Sequence, residues 1–202
     1  MRDEAVFDVL FVLKQFKSNL IDELSYDEMS ALLYLSCFIG IYNGFNYADW
    51  GYKFYLADGE LTSTQLADSI KYLLSSHLVH RPEVSSSYHR ISEKGEAVLR
   101  SLSSLQRYKY RKEQISCASD IVVTSSVTSV IKGIYSNPEL SKSAKRSGAK
   151  VVLEEVGQEL LFKNLNSICQ KVGLNRQDAY TSTWAWLTYN SSVVFSEDGG
   201  SV

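Results

Sequence analysis

Cysteine is scarce in this chain: Cys37, Cys117 and Cys169 lie far apart among 202 residues and are odd in number. A disulfide framework wants a dense, even set and a zinc site wants closely spaced pairs, so free thiols in a reducing compartment are expected. Long apolar runs are missing too. Asp8 and Lys14 interrupt the first candidate well short of the roughly 20 residues that cross a bilayer. Met1-Arg2-Asp3-Glu4 has neither the basic segment nor the clean apolar stretch of a secretory signal. Together these absences predict a cytoplasmic protein with no membrane partner.

Catalytic signatures are also missing. The chain has no phosphate-binding glycine loop, no Gly-x-Ser-x-Gly elbow and no paired histidines of a zinc protease. Its single histidine cluster, His77, His80 and His89, flanks a proposed strand turn and reads as ordinary surface or core-edge histidine. The expectation is a non-enzyme with no cofactor and no metal.

What is present is ordinary globular composition, 45% apolar and 22% charged, in a length that suits one domain or two small ones. Charge is unevenly spread. Residues 1–60 hold 4 Lys/Arg against 10 Asp/Glu, residues 61–150 hold 14 against 7, and residues 151–202 hold 3 against 6. An acidic head and a basic middle suit a binding protein with several surfaces, although solvated charge alone gives the same pattern.

Periodicity predicts a buried helix over 4–21 and a second over 26–41, the latter opened by the capping box Ser25 to Glu28 and closed by Asn43-Gly44. Residues 46–57 suggest a short aromatic-rich helix. A capping box from Thr62 to Gln65 opens the next helix, followed by a strand at 78–81, a loop from Pro82 to Ser86 and a returning strand at 87–91. Ser92 then opens a helix expected to run from 93 to 115, with Leu99, Leu102 and Leu105 inward. Residues 118–135 and 151–172 read as further helices, and a last one starts near Asn175.

Helix, strand, loop, strand, helix over residues 62–106 resembles the winged-helix superfamily. Ile91-Ser92-Glu93-Lys94-Gly95-Glu96-Ala97-Val98-Leu99 is similar to the end of the wing in PadR and MarR types, and Leu73-Leu74-Ser75-Ser76-His77-Leu78-Val79 to the end of their recognition helix. His77 stands where glycine is usual. The resemblance covers about residues 26–106 and implies a mainly α fold with a small β-wing, a winged helix-turn-helix followed by a C-terminal helical region. The expected division is 1–106, 107–195 and a loose tail at 196–202, with residues 165–187 read as a plain helical hairpin or, alternatively, a degenerate second helix-turn-helix. A weaker likeness links the chain to winged-helix accessory subunits of bacterial SMC-type complexes, including those in plasmid and phage defence.

Two residue groups are candidates for binding. Arg100, Arg107 and Arg111 are spaced to share one helical stripe, flanked by Lys109 and Lys112, and such a stripe neutralises phosphates without reading bases. Lys142, Lys145 and Arg146 form a second basic group, and Arg81 and Arg90 sit on the wing. Tyr47, Trp50, Tyr52, Phe54 and Tyr55 form an aromatic cluster that either packs within its own domain, the more frequent case, or anchors a protein partner. The helix that would enter the major groove offers Thr62, Ser63, Thr64, Gln65, Asp68, Ser69 and Lys71, with no arginine, which is poor for base readout. These features favour an accessory subunit that binds larger protein subunits and DNA without strong sequence preference, and the likeness to SMC-type accessory subunits implies an SMC-type ATPase as its partner. The alternative is a homodimeric PadR/MarR-like transcription regulator with the C-terminal helices as its seam.

Overall fold

The structure, a computed structural model, describes residues 3–57, 60–83, 85–136, 150–151, 155–171, 173 and 179–197. It is mainly helical, with two small antiparallel sheets. In chain order the elements are α1 (Asp3–Ser18), β1 (Leu24–Ser25), α2 (Tyr26–Tyr42), α3 (Tyr47–Trp50), β2 (Tyr55–Ala57), β3 (Glu60–Thr62), α4 (Thr64–Ser75), β4 (Val79–His80), β5 (Tyr88–Ile91) and α5 (Glu93–Ser103). A 3-10 turn at Gln106–Tyr108 leads to α6 (Lys109–Ser125), α7 (Val127–Tyr135), β6 (Lys150–Val151), α8 (Glu155–Lys171) and α9 (Ala179–Glu197). No single helix among the described residues is long and apolar enough to cross a membrane.

The helix at the centre is α2. Its capping box forms as expected: Ser25 Oγ accepts from Glu28 N at 3.2 Å, and Glu28 Oε2 accepts from Ser25 N at 2.7 Å. Every residue from Met29 to Gly40 is buried, so α2 has no solvent face and needs neighbours all round. α1, α6 and α7 supply part of that cover. α9 supplies more, where Trp186 stacks on Phe38 at 4.9 Å between ring centroids. One apolar cluster runs from Ala5 to Leu187, across the division expected at residue 106.

The first sheet has the order β1-β5-β4, with Leu24 opposite His89 and Val79 opposite Ile91. The second, β3-β2-β6, lies over α2, where Ser30 Oγ donates to the Leu61 carbonyl at 2.7 Å. This hairpin corrects the helix expected over 46–57. Only Tyr47–Trp50 is helical; Gly51 then takes φ 73° and turns the chain towards β2.

Three further expectations need correction. α4 is capped at Ser63 with no side-chain bond, because Gln65 Oε1 instead accepts from Lys53 N and Ser63 Oγ. The helix expected over 93–115 stops at Ser103, leaving Leu105 exposed, and resumes at Lys109 in a new direction. That redirection buries Tyr108 against Phe7, with centroids 4.1 Å apart. The helix expected over 118–135 breaks at Ser126, whose φ is 67°, and the axis turns by 108°. The possible helix-turn-helix at 165–187 includes residues 172 and 174–178, which lie outside the described residues.

The junction between α4 and α5 explains why Ser92, Lys94 and Gly95 stand where they do. α4 ends in a Schellman pattern, His77 N to Leu74 O at 3.1 Å and Leu78 N to Leu73 O at 2.9 Å, with His77 at φ 58°. Ser92 Oγ caps α5 at Gly95 N and reaches the His77 and Leu78 carbonyls; Lys94 Nζ closes the Ser76 carbonyl at 3.0 Å. A Cβ on Gly95 would stand 2.1 Å from Leu78 O, which is backbone and cannot step aside. Lys17 and Lys14 both bond Glu96, tying α5 to α1 and holding that carboxyl below the usual carboxylate range.

Chemical denaturation should find Gly95→Ala destabilised by about 2–3 kcal/mol through that overlap. His77→Gly should gain up to about 1 kcal/mol by relieving a left-handed L-residue. Because the folded carboxyl of Glu96 has the lower pKa, its contribution is present above the unfolded pKa and is lost as pH falls through the folded value. Glu96→Gln should therefore cost up to about 1 kcal/mol at pH 7 and converge with the parent in acid.

Candidate nucleic-acid interface

The break at Ser103 separates the three arginines expected on one stripe. Arg100 is exposed at the end of α5, Arg107 is exposed on the 3-10 turn, and Arg111 is buried on α6 at 4% exposure. Arg111 is therefore no DNA contact. Its Nε and Nη2 hold both oxygens of Asp8, itself fully buried on α1, the Nε bond being 2.8 Å. Nη1 donates to the Asp49 carbonyl at 3.1 Å and Nη2 to the Trp50 carbonyl at 3.0 Å, while the guanidinium lies 4.6 Å from the Trp50 ring centroid. Tyr52 donates to Asp8 Oδ2 at 3.0 Å. Burial pushes the Asp8 carboxyl up, against the pull of Arg111 and then of Tyr52. Only a fixed cation with matching donors makes that buried carboxylate tolerable.

The same network corrects the expected partner surface. Trp50, Tyr52 and Phe54 are buried, and Tyr55 is half-buried. Trp50 and Tyr52 serve the Asp8–Arg111 pair, and Phe54 meets the Tyr34 ring edge at 5.7 Å. Tyr47 belongs to α3, and its side chain lies outside the described set. The hydroxyls and indole that suit an interface here suit a polar core instead.

The remaining cations divide by whether they are already engaged. Arg90 bonds Glu23 at 2.8 Å, with Asp22 at 3.8 Å. Lys112 donates to the Ser103 carbonyl at 2.8 Å and so closes the end of α5. Arg107 has Asp3 at 3.9 Å, near the limit of an ion pair. Among the described residues, no carboxylate forms a salt bridge with Arg81, Arg100, Lys109 or Lys71, all exposed. Lys142, Lys145 and Arg146 lie outside the described residues.

The structure brings Arg81 together with Lys71, a residue the sequence did not single out for phosphate. Both line one groove between α4, the start of α2 and the β4–β5 hairpin. His89 lines it as well, though it is 4% exposed. The alternation along β5 was a legible signal: Ile91 faces inward, so His89 two residues earlier does too. Among the described residues no group of three His, Cys, Asp or Glu is placed to hold a metal.

Arg111→Met should lower unfolding free energy by about 3–5 kcal/mol by stranding the Asp8 carboxylate. Adding Asp8→Leu should recover most of that loss, as urea titration of the single and double variants would measure. Compared with protein-family models, with curated proteins and with solved structures, the chain matches none of them.

Proposed function

We propose that the chain is a non-catalytic, cytoplasmic winged-helix accessory subunit that joins a larger bacterial multiprotein complex and touches duplex DNA without strong sequence preference. The observation that carries this reading is the unit made by α4, the β4–β5 hairpin and β1 in the sheet order β1-β5-β4. The succession of helix, hairpin and helix supports the PadR/MarR-like resemblance, on which α4 takes the role of recognition helix and the β4–β5 hairpin that of the wing.

Charge supports contact with backbone more than with bases. Arg81, Arg100 and Lys109 are exposed and outside any salt bridge among the described residues, whereas α4 carries Asp68 beside Lys71 and spends Gln65 on its own N-terminus. Phosphate neutralisation needs no more than such cations. The dimeric regulator is less well supported, because α9 packs on α2 and α7 of its own chain and buries Trp186 and Leu187 there. Those two apolar side chains are thereby already covered within the chain. A larger partner such as an SMC-type ATPase remains the partner class that the resemblance implies.

Fluorescence anisotropy with two unrelated duplexes tests the DNA part. Both should bind alike, with affinity falling steeply between about 50 and 200 mM salt. The pair Arg100→Glu and Lys109→Glu should weaken both by about tenfold or more without lowering Tm. One duplex bound at least about a hundredfold tighter than the other would favour the regulator, and no binding at the lower salt would sink the DNA contact. Recovery of stoichiometric large subunits on affinity purification from the native host supports the accessory role; a homodimer alone overturns it.

A further inference from the structure

The groove between α4 and the β4–β5 hairpin encloses about 770 Å³, within the size range of small-ligand sites. One wall is a face of α4 formed by Ala67, Ile70 and Leu74, one residue per turn and apolar. Facing it, the start of α2 contributes Ser25, Tyr26 and Asp27. Tyr26 is fixed there, its hydroxyl donating to the Ser63 carbonyl at 3.1 Å and accepting from Ser63 N at 3.0 Å. Lys71 and Arg81 bring two positive charges, and Ser75, Ser86 and Ser87 bring hydroxyls.

His89 closes the back. It is 96% removed from solvent and lies opposite Leu24, whose backbone bonds the ring, but neither ring nitrogen makes a well-formed hydrogen bond among the described residues. Burial, and then the positive Arg81, holds its pKa below the ordinary imidazole value against the upward pull of the Leu24 backbone, so at neutral pH it presents one N–H donor and one acceptor. Buried ring nitrogens whose hydrogen bonds are poorly formed cost free energy until a ligand supplies better partners.

These walls together define a ligand. It needs an anionic group for Lys71 and Arg81, a flat apolar body for the α4 face and the Tyr26 ring, a donor for the Asp27 carboxylate, and an edge with both donor and acceptor for His89. Inorganic phosphate lacks the body, and a fatty carboxylate lacks the donor and the edge. Paired bases inside a duplex cannot reach a side chain this deep. We propose that the groove binds a nucleoside 5′-monophosphate unit, its phosphate at Lys71 and Arg81, a ribose hydroxyl at Asp27 and its base edge at His89. The site goes beyond the duplex-contacting role, and neither stands or falls with the other.

Calorimetric titration of the full chain with AMP, GMP, CMP and UMP tests it, each up to about 5 mM. At least one should bind, with preference among the bases. Lys71→Ala with Arg81→Ala should weaken binding about tenfold or more, and Ala67→Trp should abolish it by filling the apolar wall. His89→Phe keeps the ring and gives up only the weak Leu24 contact, so Tm should change little while discrimination among bases is lost. A 5′-phosphorylated single-stranded trinucleotide that binds more tightly than the free nucleotide identifies a strand end as the source; weaker binding identifies the free nucleotide. Absence of binding by all four, binding that survives Ala67→Trp, or equal competition by inorganic phosphate overturns the assignment.

Discussion

A carboxylate buried in the middle of an apolar helix sets the terms for half of this molecule. Asp8 lies among Phe7, Val9 and Leu10, all without solvent contact, and water cannot solvate it there. Its charge is matched by Arg111, which also ties down the Asp49 and Trp50 carbonyls, so one guanidinium joins α1, the end of α3 and α6. Much nearby follows from that requirement. The chain must leave α5 and change direction at Ser104 to deliver Arg111, and Tyr52 and Trp50 must turn inward to complete the surroundings. Gly40 is part of the same packing: a Cβ there would stand 2.2 Å from the Tyr110 hydroxyl and 2.7 Å from the Trp50 indole nitrogen.

The region around α4 works on a different principle. There, short polar bridges hold backbone to backbone, with Ser92 and Lys94 closing the carbonyls at the end of α4. Those bridges fix the hairpin against α4 without filling the groove that His89, the hairpin loop and α4 line. The rigid frame and the open groove therefore have one cause. Arg81, Arg100 and Lys109 lie outside the salt bridges of the described residues, whereas Arg90 and Lys112 serve the fold.

Local signals were the readable ones. The Ser25–Glu28 box and the Ser92 cap are each made by residues a few positions apart, and each forms where the sequence predicts. Decisions made over long separations were not readable. A seven- and four-residue spacing puts Arg100, Arg107 and Arg111 on one stripe only if the helix is continuous, and nothing local announces that Asp8 draws Arg111 inward from 103 positions away. The aromatic cluster misled for a related reason: composition tells that Trp50, Tyr52 and Phe54 want apolar contact, and leaves open whether their own chain provides it. His89 was legible by alternation along β5, yet the poor geometry of its ring's hydrogen bonding depends on how β1 and α4 approach it.

The Asp8–Arg111 pair also imposes a schedule on synthesis. Its members are 103 residues apart, so at about 5–20 residues per second the ribosome makes Arg111 roughly 5–20 s after Asp8. During that interval α1 carries a carboxylate that no local neighbour can neutralise, which favours keeping the helix loosely associated and hydrated over burying it early. Its charge thus acts as a brake on premature collapse of the first hundred residues, released when α6 emerges and docks.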